Sequence, residues 1–151
     1  MVLATCQGPT PWVAPLAYVV KDDYTFYWYS ALEAIHSQHV ASNPHVAVAI
    51  FDSTASSEEA DGIQMSGLAE EVPPSALDSV LELYWRQSFP DEATRKVWMR
   101  PRSDFQSPAI LRFYQFTPTR IYKLNTDNPQ VDVRLEIDIE ALRCLPPPRP
   151  L

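Results

Sequence analysis

Ser30 and His36 are the residues of this chain whose types and spacing point most directly to chemistry. They stand where an aromatic segment, 24–30, hands over to a short polar segment ended by Asn43-Pro44. A hydroxyl and an imidazole where a strand meets a helix N-terminus suit a phosphate-bearing ligand, because first-turn N–H groups and the helix dipole favour an anion. Ser30 has a second, compatible role there, as the cap of the helix. His36 and His39 stand three apart on that helix, a spacing that two metal ligands can use. No Cys or third helical ligand joins them and Asp52 lies across a strand, so no metal is expected. Glu70 and Glu71 are adjacent on a strand and so face opposite ways, which excludes a paired-carboxylate site there. Glu58 and Glu59 fall in a loop and read as solvated charge. No Ser, Cys or Thr has a triad context, so hydrolytic chemistry has no support.

The elements that must position this corner follow from periodicity and breakers. Residues 2–6 form an apolar run stopped by Gln7-Gly8-Pro9. Segment 12–20 resumes as a strand with Pro15 inside it, which demands an edge, a bulge or a break. With 24–30 as a third strand, an N-terminal meander is expected. A helix over 33–42 places Leu32, Ile35, His39 and Val40 on one face and turns Glu33, Ser37 and Gln38 outward. Asn43-Pro44 ends it, since a residue before proline avoids helical backbone. Segment 45–52 is a nearly continuous apolar strand, expected to be buried on both faces. A Ser/Glu-rich loop over 53–61 leads to a strand over 62–72 with a bulge at Gly67. Ser75 is placed to cap a helix carrying Leu77, Val80, Leu81 and Tyr84 at helical spacing, and 91–99 reads as another helix. Beyond a loop over 101–108, strands at 109–116 and 120–124 flank a Thr117-Pro118-Thr119 turn, and 131–139 is the last strand. On the 26–29 strand two of the four aromatics belong to the core, and the other two are free to stack on a cofactor or fill a dimer seam.

Six or seven short strands with a crossover helix and a helical insertion predict a mostly β protein, a β-barrel with α-helical additions. The 151 residues fit one domain, taken as 1–145, with a Pro-rich tail over 146–151 expected to fray. A net charge of −7 argues against a nucleic-acid surface. Only three glycines are present, Gly8, Gly62 and Gly67, too few and too scattered for a phosphate loop or a dinucleotide turn. Cys6 and Cys144 have no metal spacing and read as reduced thiols, with a disulfide between them the alternative. No apolar run reaches the ~20 residues of a membrane span. The first nine residues lack a signal peptide's charge and long apolar run, so a cytoplasmic protein with no membrane partner is expected.

In that order, the motifs LATCQGPTPWVAPLAYVV, FYWYS-x5-HS-x2-V-x2-NP-x-VAVAIFDS, GIQMSGLAEEV and RFYQFTPTRIYKL resemble the pyridoxamine 5'-phosphate oxidase-like family of FMN-binding split barrels, over most of residues 2–125. The resemblance implies a six-stranded split barrel of the FMN-binding type, working as a homodimer with FMN at its interface. It implies a flavoprotein oxidoreductase acting on a small-molecule substrate. A deazaflavin is the cofactor alternative, and a non-catalytic flavin- or haem-binding or sensing protein the functional one. The resemblance also places the cofactor contacts. Val13, Ala14, Pro15 and Leu16 lie beside the isoalloxazine ring, and Tyr29 and Ser30 border the flavin and its phosphate. His36, next to Ile35 and Ser37, neutralises that phosphate, and Gln64 reaches the ring from the partner. Two departures matter. His36 stands where Lys or Arg is usual, which implies weaker or more pH-sensitive FMN binding. The C-terminal part carries no Arg-x-His clamp, so the likeness does not extend to pyridoxamine phosphate as substrate. No catalytic residue is assigned.

Overall fold

Two apolar tracts far apart in sequence, 2–6 and 45–52, lie side by side in space. In the computed structural model, which describes residues 1–56, 61–125 and 133–144, they are strands β1 (Val2–Gln7) and β5 (His45–Phe51), paired antiparallel. β1 also pairs with β2 (Thr10–Pro15) across a turn where Gly8 adopts φ +55°, a left-handed backbone that glycine accepts without steric cost. β2 is an end strand, so the missing N–H of Pro15 forfeits no ladder bond. The chain resumes as β3 (Val19–Val20), paired with β4 (Phe26–Ala31).

The strand order is β2-β1-β5-β6-β7-β4-β3, with β8 attached to β7. The expected N-terminal meander is therefore two hairpins at opposite ends of one sheet. The break after Pro15 lets the chain leave one edge and rejoin at the other. β6 (Gly62–Glu71) and β7 (Leu111–Leu124) complete the centre. β7 runs unbroken for 14 residues, so the expected Thr117-Pro118-Thr119 turn does not form. A register shift between Ser66 and Gly67 pairs Ser66 with Arg120 and Gly67 with Pro118, which leaves Thr119 as the extra residue of a bulge. The bulge takes in a proline that a regular ladder would reject. β8 (Arg134–Ile137) is shorter than the expected 131–139 strand. Asp138 caps the short helix α4 (Ile139–Arg143), its carboxylate accepting from the N–H groups of Glu140 and Ala141. Among the described residues the sheet thus has eight strands, where six were expected. The expected tail over 146–151 and the Glu58-Glu59 pair lie outside the described residues.

Strand alternation divides the apolar side chains between two cores. Leu3, Trp28, Val48, Met65 and Phe116 fill the barrel, with Val40 of helix α1 (Ile35–Ser42) closing one end. The outer face of β3, β4 and β7 is covered by helix α2 (Leu77–Ser88) and a 3₁₀ turn (Arg102–Phe105), burying Tyr27, Val80, Tyr84, Trp85, Phe105 and Phe113. Each such side chain contributes about 1.5–3 kcal/mol of burial. The four aromatics of β4 therefore serve two cores, Phe26 and Trp28 inward and Tyr27 and Tyr29 under α2, and neither pair remains for a ring stack or a dimer seam. Helix α3 (Glu92–Trp98) is capped by Asp91 accepting from the Thr94 N–H and buries none of its residues. Ser75 does not cap α2, which begins after Ala76 without a side-chain cap.

The other half of the sheet is bare on its outer face. On β5 only Val46 and Val48 are buried while His45, Ala47 and Phe51 are exposed, so the expected burial on both faces is not met within one chain. No helix among the described residues is long and apolar enough to cross a membrane.

Candidate functional site

Ser30 continues the inward row of β4 beyond Phe26 and Trp28, which places it at the mouth of the barrel. The chain turns through Leu32, Glu33 and Ala34, and α1 folds back so that His36 Nε2 lies 2.8 Å from Ser30 Oγ. Ala34, with no side-chain bond, is the helix cap, so the Ser30 hydroxyl serves the imidazole instead. Helix α1 sits differently from the amphipathic expectation. Ser37, His39 and Val40 are buried, whereas Leu32 and Ile35 are exposed. The helix plugs the barrel with its polar face because that end offers partners. His39 Nδ1 is 3.1 Å from the buried Thr5 Oγ1, and Ser37 Oγ is buried without a hydrogen-bond partner among the described residues. His36 and His39 thus diverge toward Ser30 and Thr5. Among the described residues no group of three or more His, Cys, Asp or Glu could hold a metal ion. Cys6 and Cys144 are separate thiols.

Burial, and next to it the neighbouring His39, hold the His36 pKa below the ordinary imidazole value. The ligand-free corner therefore favours a neutral ring at neutral pH. Because the folded value is lowered, the unfolded chain binds more protons, so this contribution to stability is complete above pH ~6.5 and is lost as pH falls through the lowered folded value. A phosphate would reverse the sign by favouring the imidazolium. His36→Lys, charged throughout, is expected to tighten FMN binding about three- to tenfold and to flatten its dependence between pH 6.5 and 8.5. Fluorescence titration reads this directly, and an unchanged affinity means that the phosphate sits elsewhere.

The remaining expected contacts fall in a second group. Register places Pro15, Val2, Ala49 and Gln64 in one row across β2, β1, β5 and β6. Two cavities flank the end of β5 in this row. One of about 410 Å³ is lined by Val2, Pro15, Leu16 and Phe51, and one of about 320 Å³ by Phe51, Gln64 and Arg134. The Gln64 carbonyl accepts from Arg134 Nε at 2.9 Å. Val13 is exposed and Ala14 buried, and the Leu16 backbone exchanges bonds of 2.9 and 3.0 Å with Met1. Ser30, Ile35, His36 and Ser37 come together at the mouth; Pro15, Leu16 and Gln64 gather around β5. The Tyr29 ring joins neither group. It packs, half-buried, against Tyr84 and Phe105, with centroids 5.4 Å away in each case.

Arg112 escaped the sequence reading. It is the cross-strand partner of Ser30, and its side chain is 12% exposed. The signal was present in LRFYQF, where Arg112, Tyr114 and Phe116 share the inward face and a cation on a buried row asks for a reason.

Fold and site together define an antiparallel split barrel with a polar mouth and one bare apolar face. The family model for pyridoxamine 5'-phosphate oxidase matches residues 1–125, and the chain belongs to that family. No curated protein matches. Solved structures share the fold. A haem-binding protein of Mycobacterium smegmatis is 16% identical with a TM-score of 0.66, covering 94% of this chain, which spans 53% of that protein. A Listeria innocua protein proposed as a pyridoxamine 5'-phosphate oxidase is 25% identical with a TM-score of 0.59, covering 82% of this chain and 86% of its own. A FAD-binding protein of Mesorhizobium loti is 18% identical with a TM-score of 0.59, covering 81% of this chain and 82% of its own.

Proposed function

We propose that this chain is an FMN-dependent oxidoreductase, acting as a cytoplasmic homodimer on a small-molecule substrate. The observation that carries the reading is the Ser30–His36 pair, 2.8 Å apart where β4 hands over to α1. A hydroxyl beside an imidazole with a guanidinium on the adjoining strand fits a phosphate monoester, which needs several donors and compensating charge. The bare face around Ala49 is apolar and flanked by the two cavities at the end of β5, which suits a planar ring. A second copy of the chain would cover that face, much as α2 covers the other half. When bound, the flavin supplies two-electron chemistry; the residues of this chain bind it, orient it and limit water at the ring. A deazaflavin could occupy the same face, and the sparse positive charge of the corner favours FMN over its longer anionic tail.

Reconstitution with excess FMN tests the proposal. A yellow dimer with one flavin per chain, reduced anaerobically by NAD(P)H and reoxidised by an acceptor, is the expected result. No retained flavin would sink it. The second reading is a non-catalytic flavin- or haem-binding protein, favoured by the lowered pKa of His36 and by the fold likeness to the M. smegmatis haem-binding protein. A bound flavin that no donor reduces, or a haem absorbance band in place of a flavin one, would select it.

A further inference from the structure

We propose that Arg112 is the fixed positive charge of the phosphate corner, recognising the phosphate monoester of the flavin while His36 contributes a hydrogen bond. This deepens the reading above and rests on it. Three antiparallel pairs form one inward row across β4 and β7: Phe26 with Phe116, Trp28 with Tyr114, and Ser30 with Arg112. The first two are core; Trp28 and Tyr114 stack with centroids 5.6 Å apart. The third pair ends the row at the mouth, and directly opposed residues of such a pair share a face with Cβ atoms about 4.5–5.5 Å apart. The register therefore sets the arginine beside the hydroxyl that His36 engages.

The guanidinium is held in place rather than free to wander. Its Nη1 donates to the carbonyls of Ala109 and Leu111, each at 2.6 Å. Its Nε lies 3.1 Å from the Glu71 carboxylate, and Nη2 makes no hydrogen bond among the described residues. Stability alone is a poor account of this arrangement. Glu71 is 51% exposed, and an ion pair with so exposed a partner contributes little, while taking a guanidinium out of water costs much. A pre-positioned guanidinium with one unused nitrogen, Nη2, is what a phosphate oxygen requires. The ligand-free surroundings of His36 favour its neutral ring, whereas the guanidinium is charged at every pH. Glu71 opposes an incoming anion, so the two residues act with opposite sign on the same ligand.

Riboflavin differs from FMN only in lacking the phosphate, so the ratio of their dissociation constants isolates the phosphate contribution. Titration of both flavins by fluorescence quenching at one pH tests the proposal. Arg112→Gln is expected to shrink the riboflavin-to-FMN ratio at least about tenfold with little effect on riboflavin. Arg112→Lys should lose less, and Glu71→Gln should raise the ratio about threefold. An unchanged ratio in Arg112→Gln overturns the proposal while leaving flavin binding intact. If that variant does not fold, Glu71→Gln decides, and an unchanged or smaller ratio there overturns it. A wild-type protein that binds neither flavin sinks both this proposal and the reading beneath it.

Discussion

Gly67→Ala is expected to cost about 3 kcal/mol of stability or more, lowering the melting temperature by roughly 6–12 °C for a chain of this size. A Cβ at position 67 would lie 2.2 Å from the Thr117 carbonyl oxygen, 2.8 Å from Pro118 Cα and 2.9 Å from Phe116 Cε2. The two closest atoms belong to the backbone of β7 and cannot rotate away. Relief requires β7 to move off β6 along the longest strand of the sheet, at the bulge that accommodates Pro118 and Thr119. Phe116, fully buried in the barrel, would be displaced with it. Gly62→Ala is the matched control, since its Cβ would meet the Ile50 carbonyl and Phe51 Cβ only at 3.1 Å, at the first residue of β6. Denaturant unfolding of the two variants should separate them by about 2 kcal/mol. A Gly67→Ala protein within about 1 kcal/mol of wild type would mean that the strands are not paired in this register.

Ala47→Arg is expected to leave the single chain folded, to prevent dimerisation and to abolish FMN retention together. Ala47 stands in the row Val13, Ala4, Ala47, Ser66 across the four bare strands. It is exposed within one chain, so an arginine there meets water and not the core. The same face lines an open apolar cavity of about 510 Å³ bordered by Ala4, Cys6, His45 and Leu68. Val13 at 61% and Phe51 at 57% exposure are large apolar groups without cover, the kind of contiguous surface that marks an interaction site. A two-fold interface would bury two substituted side chains, one from each chain, without partners, a change worth several kcal/mol in association. Light scattering reads the mass, circular dichroism the fold and fluorescence the flavin. A dimer that persists in the Ala47→Arg variant, or a wild-type monomer that binds FMN, would move the interface and the ring site to another face.

How much of this was legible in sequence varies with the range of the interaction. The strands and helices as far as β6 could be read, as could the break at Pro15 and the close approach of Ser30 and His36, because each rests on neighbours within a few residues. The inward and outward fate of the β4 aromatics could not be read. Alternation says that Phe26 and Trp28 oppose Tyr27 and Tyr29, but not that α2, some fifty residues later, covers the second pair. The face of α1 differs from its periodicity for a related reason. Its buried residues include Ser37 and His39, the latter bonded to Thr5 of β1, so hydrophobic periodicity carried no signal there. Arg112 is the sharpest case, since its relation to Ser30 exists only through the pairing of β4 with β7.

By itself the sequence determined the elements as far as β6, the family likeness and the hydroxyl–imidazole pair, all of which rest on local spacing. Tertiary structure decided that β7 continues through Pro118, that one half of the sheet stays bare and that Arg112 stands opposite Ser30 in the register of β4 and β7. These depend on which distant strands exchange hydrogen bonds, and a register is a property of two segments that neither contains alone.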